Sequence, residues 1–96
     1  MKIRFLEVAQ IELDESFDYY EEQIEGLGHD FLKEILAAIK RIKTNPNAWS
    51  RLSKKTHRCL TNRFPFGVIY QIRDDEILIV AIAHLHRKPW YWKNRI

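Results

Sequence analysis

The sequence of 96 residues has few of the features that mark specialised classes of protein. It contains one cysteine, Cys59, which excludes an internal disulfide and a cysteine-based zinc site. Three glycines and three prolines are too few for a collagen-like or linker-like chain. The longest apolar run, residues 77–83, is far shorter than the roughly 20 residues that a membrane-spanning helix needs. The first residues lack the apolar segment of a signal peptide, and we expect a reduced, cytoplasmic protein.

The composition is that of a small globular protein, but its charge is unevenly distributed. Hydrophobic residues make up 46% and charged residues 30%, so we expect a single domain over residues 1–96. Residues 1–39 hold three Lys or Arg and ten Asp or Glu, a balance of −7, whereas residues 40–96 hold thirteen and three, a balance of +10. A basic surface attracts nucleic acid or an acidic protein. The alternative is that the two halves complement each other within one fold.

The first half of the chain predicts one strand and two helices. Residues 2–6 alternate polar and apolar side chains, which is typical of a half-buried strand. Apolar residues then recur every three or four positions over residues 9–24, which predicts an amphipathic helix with an acidic outer face. The Gly-Leu-Gly sequence at residues 26–28 ends this helix, and a second amphipathic helix over residues 31–42 ends before Pro46. The short connection predicts an antiparallel helical hairpin.

The second half predicts three strands, over residues 57–64, 67–73 and 77–83. The last is apolar on both faces, which is typical of a central strand. The predicted fold class is α+β, in the order β-α-α-β-β-β, with an antiparallel sheet and the amino-terminal helical hairpin packed on one face. A tail rich in Arg, Lys and aromatic residues follows the last strand.

This order of elements, together with four stretches of sequence, resembles the RelE/ParE toxins of bacterial type II toxin–antitoxin systems. The stretches are FDYYEEQ, FLKEILAAIKRIKTNP, NRFPFGVIYQI and VAIAHLHRKPWYW. Such toxins are also known as plasmid stabilization proteins. The resemblance covers nearly the whole chain and implies a growth-inhibiting toxin that a cognate antitoxin neutralises.

The resemblance implies one of two activities. ParE-like members inhibit DNA gyrase, whereas RelE-like members are metal-independent endoribonucleases that cut messenger RNA on the ribosome. We favour gyrase inhibition; the alternatives are the RelE-like nuclease and an inactive relative that acts as a nucleic-acid-binding module. We expect no cofactor and no membrane partner.

Five residues are candidates for catalysis of RNA cleavage, which needs a base, an acid and a cation for the phosphate. His84 and His86 lie two positions apart at the end of the last predicted strand, and they share one face if the strand continues. Arg63 and Arg87 carry the planar guanidinium that suits phosphate. Tyr91 is a candidate to stack on an unpaired base. The alternative for the histidines is that they are solvated neighbours without a catalytic role.

One position weighs against the nuclease. Many relatives carry Arg or Lys where this chain has Gly67, and in RelE-like enzymes that region contributes a phosphate-binding arginine. Arg63 or Arg73 would have to substitute for it. The lysines expected near the second strand of RelE-like enzymes have counterparts in Lys54 and Lys55.

Gyrase inhibition requires instead an exposed surface rich in Trp, Tyr and Arg, the residue types that carry most interface energy. Residues 87–95 contain all three types. The alternative is that Trp90, also a candidate for base stacking, and Trp92 only cover the sheet. A zinc site would require the strand of His57 and Cys59 to lie beside that of the two candidate histidines, and we expect no metal.

Overall fold

The computed structural model describes all 96 residues and contains two α-helices and five β-strands. In chain order the elements are β1 (Lys2–Phe5), α1 (Glu7–Gln23), α2 (Leu27–Thr44), β2 (Ser50–Arg51), β3 (Thr56–Leu60), β4 (Phe66–Arg73) and β5 (Glu76–His84). A single turn of 3-10 helix, Lys93–Arg95, lies near the end of the chain. Neither α-helix has the length and apolar character that crossing a membrane requires.

The five strands form one sheet in the order β1-β5-β4-β3-β2. The α+β class and the predicted order of helices and main strands are confirmed, but two details differ. β1 pairs parallel to β5, so the sheet is mixed and not wholly antiparallel. The long helical connection between β1 and the later strands explains this, since only a short turn obliges two strands to run antiparallel. A two-residue strand that was not predicted, β2, pairs with β3.

The helical hairpin packs on one face of the sheet, as predicted, and forms a core of 13 buried residues. Six come from the helices and seven from the strands: Ala9, Leu13, Phe31, Ile35, Ala38, Ile42, Cys59, Phe66, Val68, Tyr70, Ile77, Ile79 and Ile82. We call this face the helix side. At the turn between the helices, the carboxylate of Glu21 accepts hydrogen bonds from the backbone N–H groups of Gly26 and Gly28 at 2.8 and 2.9 Å. These bonds satisfy donors at the start of α2 and hold the pKa of Glu21 below its ordinary value.

The opposite face of the sheet is covered by the tail, residues 85–96. A second cluster of six buried residues lies there: Ile69, Leu78, Val80, Ala81, Ala83 and Trp92. We call this face the tail side. β5 is therefore buried on both faces, as its continuous apolar run predicted.

A β-bulge in β5 decides which way its last residues point. Val80 is the extra residue, because consecutive residues of β4 pair with the residues on either side of it. Val80 and Ala81 both lie in the tail-side cluster, so the alternation shifts by one and Ile82 returns to the helix side. His84 follows on the helix side, where its ring meets that of Phe66 edge-on with 5.1 Å between centroids.

Candidate functional site

The two candidate histidines lie together, but not on one continuous strand. β5 ends at His84, and His86 lies in the turn that follows. The turn brings the two ring centroids to 5.0 Å, and the backbone N–H of His86 donates a hydrogen bond to Nδ1 of His84 at 3.1 Å. Because Nδ1 accepts this bond, the neutral ring carries its proton on Nε2. Neither nitrogen of His84 is then free to take a proton from a substrate hydroxyl.

A carboxylate that was not predicted as a functional residue lies at the centre of this region. Glu12 of α1 has 11% of its side chain exposed and reaches β5 beyond the last residue that pairs with β1. Its Oε1 accepts hydrogen bonds from the backbone N–H of Ile82 at 3.0 Å and from Arg95 at 2.8 Å. Its Oε2 accepts bonds from the hydroxyl of Tyr91 at 2.7 Å and from Arg95 at 2.9 Å. The carboxylate thus joins the first helix, the last strand and the tail.

Arg95 is the main partner of Glu12. Its guanidinium binds both carboxylate oxygens and also donates to the backbone oxygen of Val80 at 3.1 Å. Only 17% of the Arg95 side chain is exposed, so this bidentate pair is shielded from water and strengthened accordingly. The hydrogen bond to Glu12 raises the pKa of Arg95 above its ordinary value. Together the two side chains satisfy backbone groups on the edge of β5 that the short β1 does not reach.

Tyr91 and Arg87 belong to the same cluster. Burial, reinforced by the hydrogen bond to Glu12, raises the pKa of Tyr91 well above its ordinary value, so the hydroxyl stays protonated. The guanidinium carbons of Arg87 and Arg95 lie 3.7 and 5.1 Å from the centroid of the Tyr91 ring. These cations occupy ring surface that a stacked nucleobase would need. Arg87 is the loosest member, since its Nη1 lies 3.5 Å from Glu12 and 53% of its side chain is exposed.

Arg63 lies apart from this cluster. It belongs to the loop between β3 and β4, where its guanidinium forms a 3.4 Å ion pair with Asp30 of α2 and lies over the ring of Phe64. Its backbone N–H donates to Glu34, also in α2, at 3.1 Å. The structure therefore gathers four of the five candidate catalytic residues around the end of β5 and leaves Arg63 beside the helical hairpin.

Gly67 lies on the tail side, beneath the side chain of Arg58 from β3. A Cβ at position 67 would stand 3.0 Å from the aliphatic carbons of Arg58. Arg58 also lines a cleft of about 130 Å³ between sheet and tail, together with Arg87, Lys88 and Trp90. A cation therefore does lie over this part of the sheet, but it comes from a residue that was not predicted. Arg58 pairs with Ile69 and lies diagonal to Gly67, whose own partner in β3 is Leu60, so only the strand register brings the two residues together.

The sequence matches a family profile described as "ParE toxin of type II toxin-antitoxin system, parDE" over residues 3–89. The chain belongs to the ParE toxin family. Its fold is similar to a solved structure titled "Chromosomal ParDE TA system from P. aeruginosa", with a TM-score of 0.78 and 21% identity, over 90% of this chain and 97% of that one. No match was found among curated proteins. As a ParE-family toxin, the protein is the toxin component of a type II system, which the resemblance implied.

The two tryptophans in the tail of this ParE-family toxin differ in exposure. Trp92 is 4% exposed and covers the sheet, whereas Trp90 is 44% exposed. The ring centroids are 4.8 Å apart, so the buried ring supports the exposed one. Trp90 has a backbone φ of 64°, in the left-handed region that L residues rarely adopt. An exposed aromatic ring held by a strained backbone is typical of a binding surface.

The four residues considered as zinc ligands do not lie close enough together to bind one ion. They are His57, Cys59, His84 and His86. His57 and Cys59 lie in β3, and β4 separates that strand from β5, which carries His84. Cys59 is 1% exposed in the helix-side core, and burial raises the pKa of its thiol. The structure contains no group of three or more His, Cys, Asp or Glu side chains that could hold a metal ion.

Proposed function

We propose that this ParE-family toxin inhibits DNA gyrase through a target-binding surface formed by Arg87, Lys88 and Trp90, and that a cognate antitoxin neutralises it. The observation that carries the proposal is the exposed ring of Trp90 beside two cationic residues. Trp and Arg are the residue types that most often contribute large binding energies at protein interfaces. The resemblance to ParE-like members supports gyrase as the target.

The arrangement of the candidate catalytic residues supports binding over chemistry. Nδ1 of His84 accepts a backbone hydrogen bond, and the hydroxyl of Tyr91 is committed to Glu12. Arg63 is paired with α2 on another part of the surface. A metal-free nuclease needs its base, acid and phosphate-binding cation around one reacting group. Because His84, Tyr91 and Arg63 are bonded to other groups of the protein, they do not supply such a set.

Ribosome-dependent RNA cleavage is the second candidate function, and Arg58 is the observation that favours it. Its side chain lies over Gly67 and lines the cleft below the tail, where it supplies the cation that the glycine does not. In this alternative Arg58 and Arg87 would bind phosphate, and His86 would transfer protons.

The cognate antitoxin must cover a surface that is basic and aromatic. A segment with acidic and apolar residues fits such a surface, and a segment of this kind is commonly disordered until it binds. Co-expression with the product of the neighbouring gene should yield a stable complex. A chain that expresses freely alone and binds no such product would contradict this part of the proposal.

Gyrase supercoiling by the purified toxin is the direct test. The Trp90→Ala variant should raise the concentration needed for half-inhibition by about tenfold or more, as expected for a binding hot spot. Leu36→Ala is a matched control, because Leu36 is another large apolar residue with an exposed side chain, 53% exposed, and it lies on α2 away from the proposed surface. It should inhibit like the wild type.

The wild type and the same variants should also be expressed in bacteria, where new messenger RNA 5′ ends are mapped. New ends at ribosome-occupied codons, with gyrase activity unaffected, would reject gyrase inhibition in favour of the nuclease. In that case Arg58→Ala should abolish the new ends and Trp90→Ala should not.

A further inference from the structure

We propose that Glu12 is the positioning residue of the target-binding surface: its carboxylate holds the tail in the one conformation that presents Trp90 to the target. The inference rests on the proposed function, in which Trp90 and its cationic neighbours make the contact. It assigns a role in toxicity to a residue of the first helix, remote in sequence from the surface that it controls.

The tail depends on side chains for its attachment. The backbone of Leu85 donates to the oxygen of Pro65 at 2.8 Å, but every later backbone–backbone hydrogen bond of the tail joins residues close in sequence. No strand pairing therefore holds residues 86–96 against the sheet. What remains is the burial of Trp92, the hydrogen bond from Arg95 to the backbone oxygen of Val80, and the hydrogen bonds that converge on Glu12.

These attachments flank Trp90 on both sides. Arg87 precedes it and contacts Glu12 at 3.5 Å, while Tyr91 and Arg95 follow it and bind the same carboxylate at 2.7 to 2.9 Å. The left-handed backbone at Trp90 is an unfavourable conformation that persists only when its surroundings impose it. Fixing both flanks to one carboxylate supplies that constraint.

The charge of Glu12 is essential to this arrangement. The guanidinium groups of Arg87 and Arg95 lie 3.5 and 2.9 Å from the same oxygen of Glu12, Oε2, so two like charges lie close together there. The carboxylate between them compensates that repulsion. An uncharged side chain of the same size would leave the two guanidinium groups opposed, and the tail would separate from the sheet edge.

Attachment of the tail to the sheet should be measured first, on the purified full-length chain, by its protection from trypsin. Glu12→Gln removes the negative charge of the carboxylate, and Arg95→Met removes the guanidinium that binds both carboxylate oxygens. Glu22→Gln is the matched control, because Glu22 is an exposed carboxylate on the same helix with no hydrogen-bonding partner. Trypsin should cut after Arg87 and Lys93 about tenfold faster in the two test variants, while amide exchange in β4, to which neither Glu12 nor Arg95 is hydrogen-bonded, stays at the wild-type rate. The control should be cut like the wild type.

Toxicity should be measured next, by growth arrest on induction and by gyrase supercoiling. Both test variants should lose growth arrest and require an about tenfold higher concentration to inhibit gyrase, whereas Glu22→Gln should behave like the wild type. A tail cut at the wild-type rate in both test variants overturns the proposal. So does an accelerated cut that leaves growth arrest intact.

Growth arrest separates this inference from the proposed function. If the wild type arrests growth but leaves gyrase active, gyrase inhibition is rejected, and the effect of Glu12→Gln on growth still decides whether Glu12 positions the surface. A wild-type chain that arrests neither growth nor gyrase overturns both.

Discussion

The two faces of the central sheet are covered by different means. On the helix side, two helices of 17 and 18 residues bury a core of 13 residues. On the tail side, residues 85–96 bury one tryptophan against the sheet and are otherwise held by a few hydrogen bonds, most of them to Glu12. Apolar burial is non-directional and spread over many contacts, whereas a few charged hydrogen bonds are directional and depend on single residues.

This difference separates stability from function within a small chain. The helix side supplies most of the buried apolar surface and therefore most of the free energy of unfolding. The tail side is expected to open at a lower free energy than the whole fold, which is where binding surfaces are usually found. Variants on the two sides should therefore have different consequences, and the following experiments compare them.

Phe31→Ala should have the largest effect, because it disrupts the helix-side core. Phe31 is 0% exposed, and its ring centroid lies 4.8 to 5.4 Å from those of Tyr20, Phe64 and Phe66. We expect the free energy of unfolding in urea to fall by about 3–5 kcal/mol. Trp90→Ala, the tail-side counterpart, should change it by less than about 1 kcal/mol. Similar losses in the two variants would contradict the difference between the faces.

The glycines provide a second comparison, of intermediate size. A Cβ at Gly28 would stand 2.6 Å from the backbone oxygen of Phe17, so Gly28→Ala must push the two helices apart. We expect a loss of about 1–3 kcal/mol in the free energy of unfolding. Gly67→Ala meets the flexible stem of Arg58 at 3.0 Å and Leu60 at an ordinary contact distance of 3.6 Å, and it should cost less than about 1 kcal/mol. If thermal or urea unfolding shows equal losses, the tail side is packed as tightly as the helix side.

The smallest effect concerns pH and the tail alone. The pKa of Tyr91 is raised in the folded protein, so its hydroxyl contributes to tail attachment fully below the ordinary tyrosine pKa of about 10. That contribution is lost as the pH rises further, through the higher pKa that Tyr91 has in the folded protein. Tyr91→Phe should weaken attachment of the tail to the sheet by about 1–2 kcal/mol at neutral pH. It should also remove the part of the loss of attachment at alkaline pH that is due to ionisation of Tyr91.

Tryptophan fluorescence between neutral and alkaline pH measures this effect, because Trp92 loses its buried environment when the tail opens. Tyr70→Phe is the helix-side control: the pKa of Tyr70 is also raised by burial, and its hydroxyl donates to the backbone oxygen of Pro46. The fluorescence of the Tyr70→Phe variant should follow that of the wild type over the pH range in which the tail opens. Identical titrations of the wild type and Tyr91→Phe would show that the Tyr91 hydroxyl does not hold the tail.

The candidate site was only partly predictable from the sequence. Four candidate residues lie together because three of them follow the last strand closely in the chain and the fourth, His84, ends it. Glu12 was overlooked because it looks like the other carboxylates on the acidic face of α1. One signal was present: Glu12 lies three residues after Ala9 and directly before Leu13, which are the buried residues of α1, so it borders the buried stripe.

Periodicity, turn residues and apolar runs were enough to predict the two helices, the main strands, the α+β class and the basic aromatic tail. These features depend on residues close together in the chain, whose spacing determines which side chains share a face. Three others were decided by packing alone: the parallel pairing of β1, the bulge at Val80, and the meeting of Glu12 with Arg95, 83 positions later. Each joins residues far apart in sequence, and no local pattern determines which distant group will satisfy an unpaired strand edge or a buried charge.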